Sequence, residues 1–214
     1  SPDDPVNKWI DKSITDKIDN ANESRIKHLL SHRSGIHDIY TVRMNMDMYN
    51  RADNNWNQEE LLKYVYGKKA NFNVDEDYSY SNTNYLLLGM ILEKASGKTL
   101  KEVYQDRIFD PLNLESAHYD IGDNKAPEGV VKGYEDLYGN GRYIEAQDFY
   151  LDEIGVGGDG GIAINAYELG KFTDELVKGS IISENSLNAM KNWFDIPLYY
   201  NDQEHIKNGY GFEY

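Results

Sequence analysis

Tyr80 and Asn82 stand one residue apart, directly before the most apolar stretch of the chain, residues 85–92. At positions i and i+2 of a helix-entry turn, a phenol and a carboxamide can point into one cleft. The phenol could relay protons there, provided that nearby cations lower its pKa from about 10. The carboxamide could donate to a substrate carbonyl and accept from an ammonium group. The pair is a candidate catalytic site, with a packing tyrosine and an Asn helix cap as the structural alternatives.

A second candidate is Ser24, because Ser24 and Lys27 form a Ser-x-x-Lys pattern. On a helix, positions i and i+3 bring the hydroxyl and the ammonium group onto one face, where the amine could deprotonate the serine. A lone four-residue pattern arises often by chance and is weak evidence. We interpret Ser24 as an exposed helix start and keep a nucleophilic Ser24 as the minor alternative.

Metal and phosphate sites are also weakly indicated. His28 and His32 have the i, i+4 spacing of two metal ligands on a helix, but no third ligand stands at a recognised distance. The glycine-rich residues 157–161 precede a capped helix, yet they lack the P-loop lysine, and Asp159 would repel a phosphate. The sequence therefore predicts neither a metal nor a cofactor. The glycines are expected to let the chain pass close to the floor of the active site.

Composition limits the classes of partner. The 214 residues carry 37 acidic and 22 basic side chains, a formal net charge of −15, and no cysteine. This acidic surplus disfavours nucleic acid and anionic membranes as partners, because both attract positive surfaces. No apolar run approaches the roughly 20 residues of a transmembrane helix. The lack of cysteine excludes disulfides, thiolate metal sites and a cysteine nucleophile.

Helix signals dominate the chain. Asn57, Thr99 and Asn165 each stand three residues before a Glu, the pattern of a capping box. The predicted helices begin at Asp4, Ser24, Asn57, Asn82 or Thr83, Thr99, Asn165 and Ser183. The helix through residues 85–92 is apolar on every side and is expected to be central, whereas the helix after Thr99 is expected to end before Asp110-Pro111. Candidate strands are weak, at 129–134, 161–164 and 210–214. The prediction is a mainly helical body with a few short strands.

Five segments, in this order and spacing, resemble signature segments of one family. They are Asp3-Asp4-Pro5-Val6, residues 29–35 (LLSHRSG), residues 80–85 with the following helix, residues 108–112 (IFDPL), and residues 158–164 (GDGGIAI) with Glu168-Leu169. Together they resemble the class C β-lactamase-like serine hydrolases, which include β-lactamases, D-Ala-D-Ala carboxypeptidases and esterases. One departure is Val74-Asp75, which stands where this family usually has Pro-Gly ahead of its Tyr-x-Asn motif.

The resemblance implies that Tyr80 and Asn82 are the catalytic Tyr-x-Asn motif, the second of three in the family. The nucleophile of the Ser-x-x-Lys motif is expected upstream of Ser1, and a Lys/His-x-Gly motif is expected beyond the segment 209–212. We therefore expect residues 1–214 to form one unit, the helical lobe of an α+β β-lactamase/transpeptidase-like fold with the central sheet largely missing. Such a chain is expected to be inactive alone and to self-associate through an exposed apolar face.

The parent protein is then expected to be an acyl-serine hydrolase. The resemblance implies a small acyl, peptide, ester or β-lactam substrate, and a location outside the cytoplasm. The alternative is a non-catalytic binding module derived from the same fold. Neither interpretation requires a cofactor.

Overall fold

The computed structural model of the chain describes residues 1–50, 56–119, 129–136, 138–145, 157–196 and 206–213. Within these ranges the chain is mainly helical with a few short strands, as the sequence predicts. The helical elements are a 3₁₀ turn (Val6–Lys8), α1 (Lys12–Thr15), α2 (Ile26–Leu30), α3 (Val42–Asn50), α4 (Gln58–Leu62), α5 (Asn82–Ser96), α6 (Leu100–Tyr104), a π-helical turn (Gln105–Phe109), α7 (Asp110–Leu112), α8 (Ala166–Val177) and α9 (Glu184–Met190). The strands are β1 (His118–Tyr119), β2 (Tyr134–Glu135), β3 (Ile144–Glu145), β4 (Ile162–Ala163), β5 (Phe194–Asp195) and β6 (Lys207–Asn208).

Helix α5 is the centre of the main hydrophobic core, which confirms the prediction from its apolar sequence. Leu86 and Leu87 are fully buried, and Ile91 is nearly so. The helix packs against α2 and α4, whose buried residues Leu29 and Leu62 belong to the same core. Burying apolar side chains of this size stabilises the fold by about 1.5–3 kcal/mol each. The residues that precede α5 are therefore joined directly to the helix at the centre of this core.

A second, smaller core lies beyond the C-terminal end of α5. It is built from Leu100, Phe109, Leu114 and Tyr119, so the turns around α6 and α7 enclose it. The Tyr119 hydroxyl donates to the Gly157 carbonyl at 2.8 Å. This bond ties the second core to the glycine-rich segment 157–161.

Helix caps are the local features that the sequence predicts best. The Asn57 side chain accepts the Glu60 N–H at 3.0 Å, and the Asn165 side chain accepts the Glu168 N–H at 2.8 Å. Thr99 begins α6 with a complete capping box. These bonds satisfy N–H groups that have no partner inside their own helix, which explains why short polar residues mark the starts.

Three predicted helix bounds were wrong. Asp4 caps no α-helix: a short 3₁₀ turn follows Pro5, and the Asp4 carboxylate instead accepts from Lys8 at 2.8 Å. Helix α2 begins at Ile26 and not at Ser24. The helical segment that begins after Thr99 does not end before Pro111. It continues from α6 through the π-helical turn into α7, where Pro111 stands in the first turn. A proline is tolerated there because a first-turn N–H has no intrahelical acceptor.

The described strands are short and antiparallel, and they pair as β1 with β4, β2 with β3, and β5 with β6. Two strand candidates from the sequence contribute, since Tyr134 lies in β2 and Ile162 lies in β4. The third candidate, residues 210–214, supplies only an isolated bridge between Glu213 and Asn208, while β6 lies just before it. No helix in the described ranges combines the length and the apolarity needed to cross a bilayer. Self-association through an apolar face stays a prediction.

Candidate active site

The loop that follows α2 is bonded to the first turn of α5. The Ser34 hydroxyl donates to Asn84 Oδ1 at 2.6 Å, and both side chains are buried. The Thr83 hydroxyl donates to the His37 carbonyl at 2.7 Å. Through these bonds, the loop that follows α2 positions the start of α5, directly after Tyr80.

His32 connects this loop to the candidate catalytic tyrosine. Its ring stacks on the ring of Tyr80, with centroids 4.4 Å apart, and on the ring of Tyr85, with centroids 5.0 Å apart. His32 Nδ1 accepts the backbone N–H of Ser81 at 3.2 Å. Burial lowers the pKa of His32 to about 4, so the imidazole is neutral at pH 7. His32 thus holds the Tyr80 ring from one side without placing a positive charge beside it.

The structural alternative for Asn82, a helix cap, was wrong, because Asn82 is the first residue of α5. Ser81 occupies the cap position, with an extended backbone and no side-chain cap bond. Asp38 takes over that role: its carboxylate accepts the Asn82 backbone N–H at 3.2 Å and the Asn82 side-chain amide at 3.1 Å. Sequence reasoning missed Asp38, because a partner 44 positions away leaves no local signal.

Tyr80 borders a cavity of about 470 Å³. The Tyr80 side chain is 45% exposed. Aromatic side chains make up much of the lining: His32, Tyr80, Tyr85, Tyr104 and Phe212. Asn82 does not border the cavity, and it lies on the first turn of α5 against Asp38. The two predicted residues therefore occupy one helix start, but only Tyr80 faces the open space.

The glycine-rich segment forms another wall of this cavity, as the sequence predicts. A Cβ on Gly158 would lie 2.5 Å from the Tyr85 carbonyl oxygen, and a Cβ on Gly89 would lie 2.7 Å from the Gly158 nitrogen. Real Cβ atoms do not approach so closely, so only glycine allows this segment to lie directly on α5. The next residue, Asp159, is thereby placed in the cavity wall.

Asp159 is the second chemically notable side chain of the cavity. Burial raises the pKa of its carboxyl group to about 6, and the nearby charge of Asp38 adds to the effect. A raised carboxyl pKa in a cleft is typical of functional sites. From the sequence, Asp159 counted as part of a family segment and as an argument against phosphate, but not as a site residue. Its position beside a cavity depends on the contact between segment 157–161 and α5.

The Ser-x-x-Lys pattern at Ser24 is not part of this site. Ser24 is fully buried, which contradicts its interpretation as an exposed helix start, and it does not border the cavity. Its hydroxyl has no hydrogen-bond partner within the described part of the chain. The Lys27 ammonium group binds Asp3 Oδ1 at 2.8 Å, and this bond raises the pKa of Lys27. Lys27 therefore makes a poor proton acceptor.

The two histidines with metal-like spacing are both bonded through Nδ1. His28 Nδ1 accepts the Arg25 N–H at 3.1 Å, and His32 Nδ1 accepts from Ser81, as described above. Across the ranges that the structure describes, no three His, Asp or Glu side chains are grouped as metal ligands.

Val74-Asp75, which stands where the family usually has Pro-Gly, still forms a turn. Asp75 has a φ of 69°, in the left-handed region that a glycine adopts at little cost. Its N–H donates to the Arg33 carbonyl at 2.8 Å, and its carboxylate lies 3.2 Å from Arg33 Nε. Arg33 thus stabilises an aspartate where the family usually has glycine.

A Tyr-x-Asn sequence at the start of a central helix, beside an aromatic cavity and a glycine-rich wall, is the arrangement that the resemblance to the β-lactamase-like family leads us to expect. The family model described as beta-lactamase matches residues 1–214, and the chain belongs to that family.

Relatives and solved structures agree with this assignment. The chain is 29% identical over 195 residues to penicillin-binding protein 4* of Bacillus subtilis, which covers 87% of the chain and 42% of that protein. It is 23% identical over 197 residues to a teichoic acid D-alanine hydrolase of Staphylococcus aureus, covering 92% of the chain and 44% of that protein. The structure of a D-stereospecific amidohydrolase from a Streptomyces species covers all of the chain and 63% of its own, with a TM-score of 0.89 and 23% identity. The chain thus spans less than half the length of these two curated relatives.

Proposed function

We propose that this chain contributes the Tyr-x-Asn part of an acyl-serine hydrolase that cleaves an amide or ester of a small aminoacyl substrate. The observation that carries the proposal is the position of Tyr80, whose phenol is half-exposed at a cavity and stacked on a neutral histidine. The name of one relative, a teichoic acid D-alanine hydrolase, supports an aminoacyl substrate. The name of one similar structure, a D-stereospecific amidohydrolase, supports an amide bond as the target.

Tyr80 is proposed as the proton carrier. When the serine hydroxyl attacks the substrate carbonyl, its proton must leave as the new C–O bond forms, and the amine or alcohol product must gain a proton as its bond to carbon breaks. A phenol beside the cavity can transfer both protons and later deprotonate the water that releases the acyl group. This role requires a cation near the phenol. No lysine or arginine borders the cavity in the described part of the chain.

Asn82 is proposed as a positioning residue whose side-chain oxygen can accept one hydrogen bond. Its NH₂ group is bound by Asp38, at 3.1 Å from Oδ2 and 3.4 Å from Oδ1. Within the described ranges, nothing donates to Asn82 Oδ1, which leaves this atom able to accept from an ammonium group. The donation to a substrate carbonyl that the sequence suggested would require Asn82 to release Asp38.

We propose that the nucleophilic serine and its lysine lie outside residues 1–214. The burial of Ser24 and the pairing of Lys27 with Asp3 support this, since they argue against the Ser-x-x-Lys pattern at Ser24 as the nucleophile motif. We also propose that residues 1–214 are the helical lobe of the fold, with the central sheet supplied elsewhere in the protein. The relatives are more than twice as long as the part that they share with this chain, which supports both proposals.

The proposed location is outside the cytoplasm. The names of two relatives contain penicillin, an antibiotic that acts on cell-wall synthesis, and teichoic acid, a polymer of the cell envelope. Fractionation of the native organism, with detection by an antibody against residues 1–214, tests this location. Recovery only in the cytoplasmic fraction would contradict it.

The proposed function is tested in the full protein by replacing Tyr80 with Phe. This change keeps the ring and its stacking on His32 but removes the proton carrier, so kcat should decrease by about 10²–10⁴ while KM changes less. Tyr167→Phe is the matched control, because Tyr167 is 84% exposed on α8. Near wild-type turnover of Tyr80→Phe would overturn the role of Tyr80.

A second test uses residues 1–214 alone with a fluorescent penicillin and intact-mass spectrometry. We expect no covalent adduct, because a coupled catalytic unit loses nearly all activity when its nucleophile is missing. A stoichiometric adduct on Ser24 would overturn the proposal that the nucleophile lies elsewhere.

A further inference from the structure

A buried chain of hydrogen bonds leads from the loop after α2 to the imidazole of His32. The Ile36 N–H donates to Ser34 Oγ at 3.0 Å, and the Ser34 hydroxyl donates to Asn84 Oδ1 at 2.6 Å. The side-chain nitrogen of Asn84 lies 3.3 Å from His32 Nδ1. Ser34 and Asn84 are fully buried, and His32 is 5% exposed. The chain of bonds therefore ends, shielded from water, at the ring on which Tyr80 stacks.

The backbone N–H of Ser81 determines where the protons lie in this network. An N–H group can only donate, so His32 Nδ1, which accepts it at 3.2 Å, carries no proton. The Asn84 atom beside Nδ1 is then the NH₂ group, and the Asn84 oxygen faces the Ser34 hydroxyl. A neutral imidazole without a proton on Nδ1 carries it on Nε2. The network thus selects one of the two tautomers of His32.

His32 cannot gain a second proton without breaking these bonds. Protonation would turn Nδ1 into a donor and remove the acceptor of both the Ser81 N–H and the Asn84 NH₂ group. Buried donors without an acceptor are costly, and folded proteins rarely contain them. Burial of the ring acts in the same direction, since it lowers the pKa of His32 to about 4. The network and the burial together keep the ring uncharged.

The backbone of His32 is strained. Its φ of 55° lies in the left-handed region, which residues other than glycine rarely adopt. In this conformation the ring contacts Tyr80 and Tyr85, with centroid distances of 4.4 and 5.0 Å. Strain of this kind persists only where the surroundings over-determine it, and it recurs at active sites. His32 also borders the cavity, and among the residues that the structure describes no acceptor binds its Nε2–H group. That group is available to an acceptor that enters the cavity.

We propose that Ser34 and Asn84 are positioning residues for Tyr80: they hold His32 in its neutral Nε2–H tautomer, and the fixed ring orients the tyrosine. Neither residue borders the cavity, so both act through His32. This proposal rests on the proposed function, which requires the lysine of the nucleophile motif near the Tyr80 phenol. A positively charged imidazole stacked on Tyr80 would repel that lysine, whereas a neutral ring supports the tyrosine and leaves the lysine its place.

Nitrogen-15 NMR of the full protein, labelled at histidine, tests the tautomer. The signals of His32 are assigned by their loss in His32→Gln. Wild type at pH 7 should show a protonated Nε2 and an unprotonated Nδ1. Asn84→Asp replaces the NH₂ group by an acceptor, and because a carboxylate is less basic than an imidazole, Nδ1 should gain a proton. A proton on Nδ1 in wild type, or an unprotonated Nδ1 in Asn84→Asp, would overturn the proposal.

Thr83→Val is the matched control for this measurement. It removes another buried bond between the same loop and α5, from the Thr83 hydroxyl to the His37 carbonyl, but it does not touch the network. Both nitrogens of His32 should stay as in wild type. A changed tautomer in Thr83→Val would show that any weakening of this loop has the same effect, and would overturn the specific role of Asn84.

Steady-state kinetics of the full protein with D-alanine p-nitroanilide test the effect on Tyr80. Asn84→Asp should decrease kcat by about tenfold to 10²-fold with little change in KM, because a displaced proton carrier slows the chemical step. Ser34→Ala, which frees the Asn84 amide, should give a smaller decrease of the same kind, and it replaces Asn84→Asp if that variant does not fold. If kcat stays within about twofold of wild type in both variants, the positioning role is overturned. If wild type has the expected tautomer but cleaves no aminoacyl anilide or ester, the proposed function fails while the control of His32 by Asn84 stands.

Discussion

The Asp38 carboxylate binds Asn82 twice, at 3.2 Å from the backbone N–H and at 3.1 Å from the side-chain amide nitrogen. One acidic side chain therefore caps the central helix and at the same time orients the second residue of the Tyr-x-Asn motif. The helix start is also where a carboxylate is most favourable, because the N-terminal end of a helix carries a partial positive charge. Stability and site geometry are coupled through Asp38.

Replacing Asp38 with Ala should reduce both stability and activity. Loss of the cap should lower the free energy of unfolding by about 0.5–2 kcal/mol, and the freed Asn82 amide should lower turnover. Thermal denaturation and steady-state kinetics of the full protein measure the two effects. Asp174→Ala, which removes an exposed i, i+4 ion pair on α8, should change stability by no more than about 0.5 kcal/mol. Equal melting temperatures for the two variants would contradict the capping role of Asp38.

Replacing Gly158 with Ala should separate the glycine-rich wall from α5. The added Cβ would lie 2.5 Å from the Tyr85 carbonyl oxygen, and overpacking of this kind costs about 1–3 kcal/mol. Gly170→Ala is the matched control, since a Cβ there meets no atom within 4 Å on helix α8. The control should be neutral or stabilising by up to about 1 kcal/mol. Urea denaturation compares the two, and an equally mild Gly158→Ala would disprove the close contact.

His32 should make the protein less stable in acid. Its folded pKa of about 4 lies below its ordinary value of 6.5, so the unfolded state binds more protons between these limits. Stability contributed by neutral His32 is therefore present above about pH 6.5 and is lost as the pH decreases toward 4. In His32→Gln, whose amide oxygen can still accept from Ser81, melting temperature should depend less steeply on pH across this range. His118→Gln, at an exposed position, is the matched control.

Asp159 should contribute in the opposite direction. Its folded pKa of about 6 lies above its ordinary value of 3.8, so the folded state binds more protons between these limits. Stability therefore decreases as the pH increases from about 4 to about 6, and the loss is complete above that pH. Asp159→Asn removes the buried charge and should raise the melting temperature at pH 7–8, with little change at pH 4. A melting temperature that decreases at pH 8 would show that Asp159 already has a stabilising partner.

The sequence determined by itself those features whose partners lie within a few residues. Asn57, Thr99 and Asn165 cap their helices as predicted, because a capping side chain needs only the N–H groups two or three positions ahead. The central position of α5 followed from its apolar composition alone. The family also followed from the order of short motifs, and Tyr80 was named as a candidate catalytic residue from its type and place.

Tertiary structure decided which groups surround Tyr80. His32 and Asp38 contact residues at the start of α5 from segments that are distant in sequence. Asp159 borders the same cavity because its neighbour Gly158 packs against Tyr85 and Gly89 on that helix. Tertiary structure also moved Ser24 from a predicted exposed position into the interior. The physical reason is the same in each case: burial and electrostatic surroundings are set by side chains that meet only when the chain is packed, and they determine pKa, access and charge at the site.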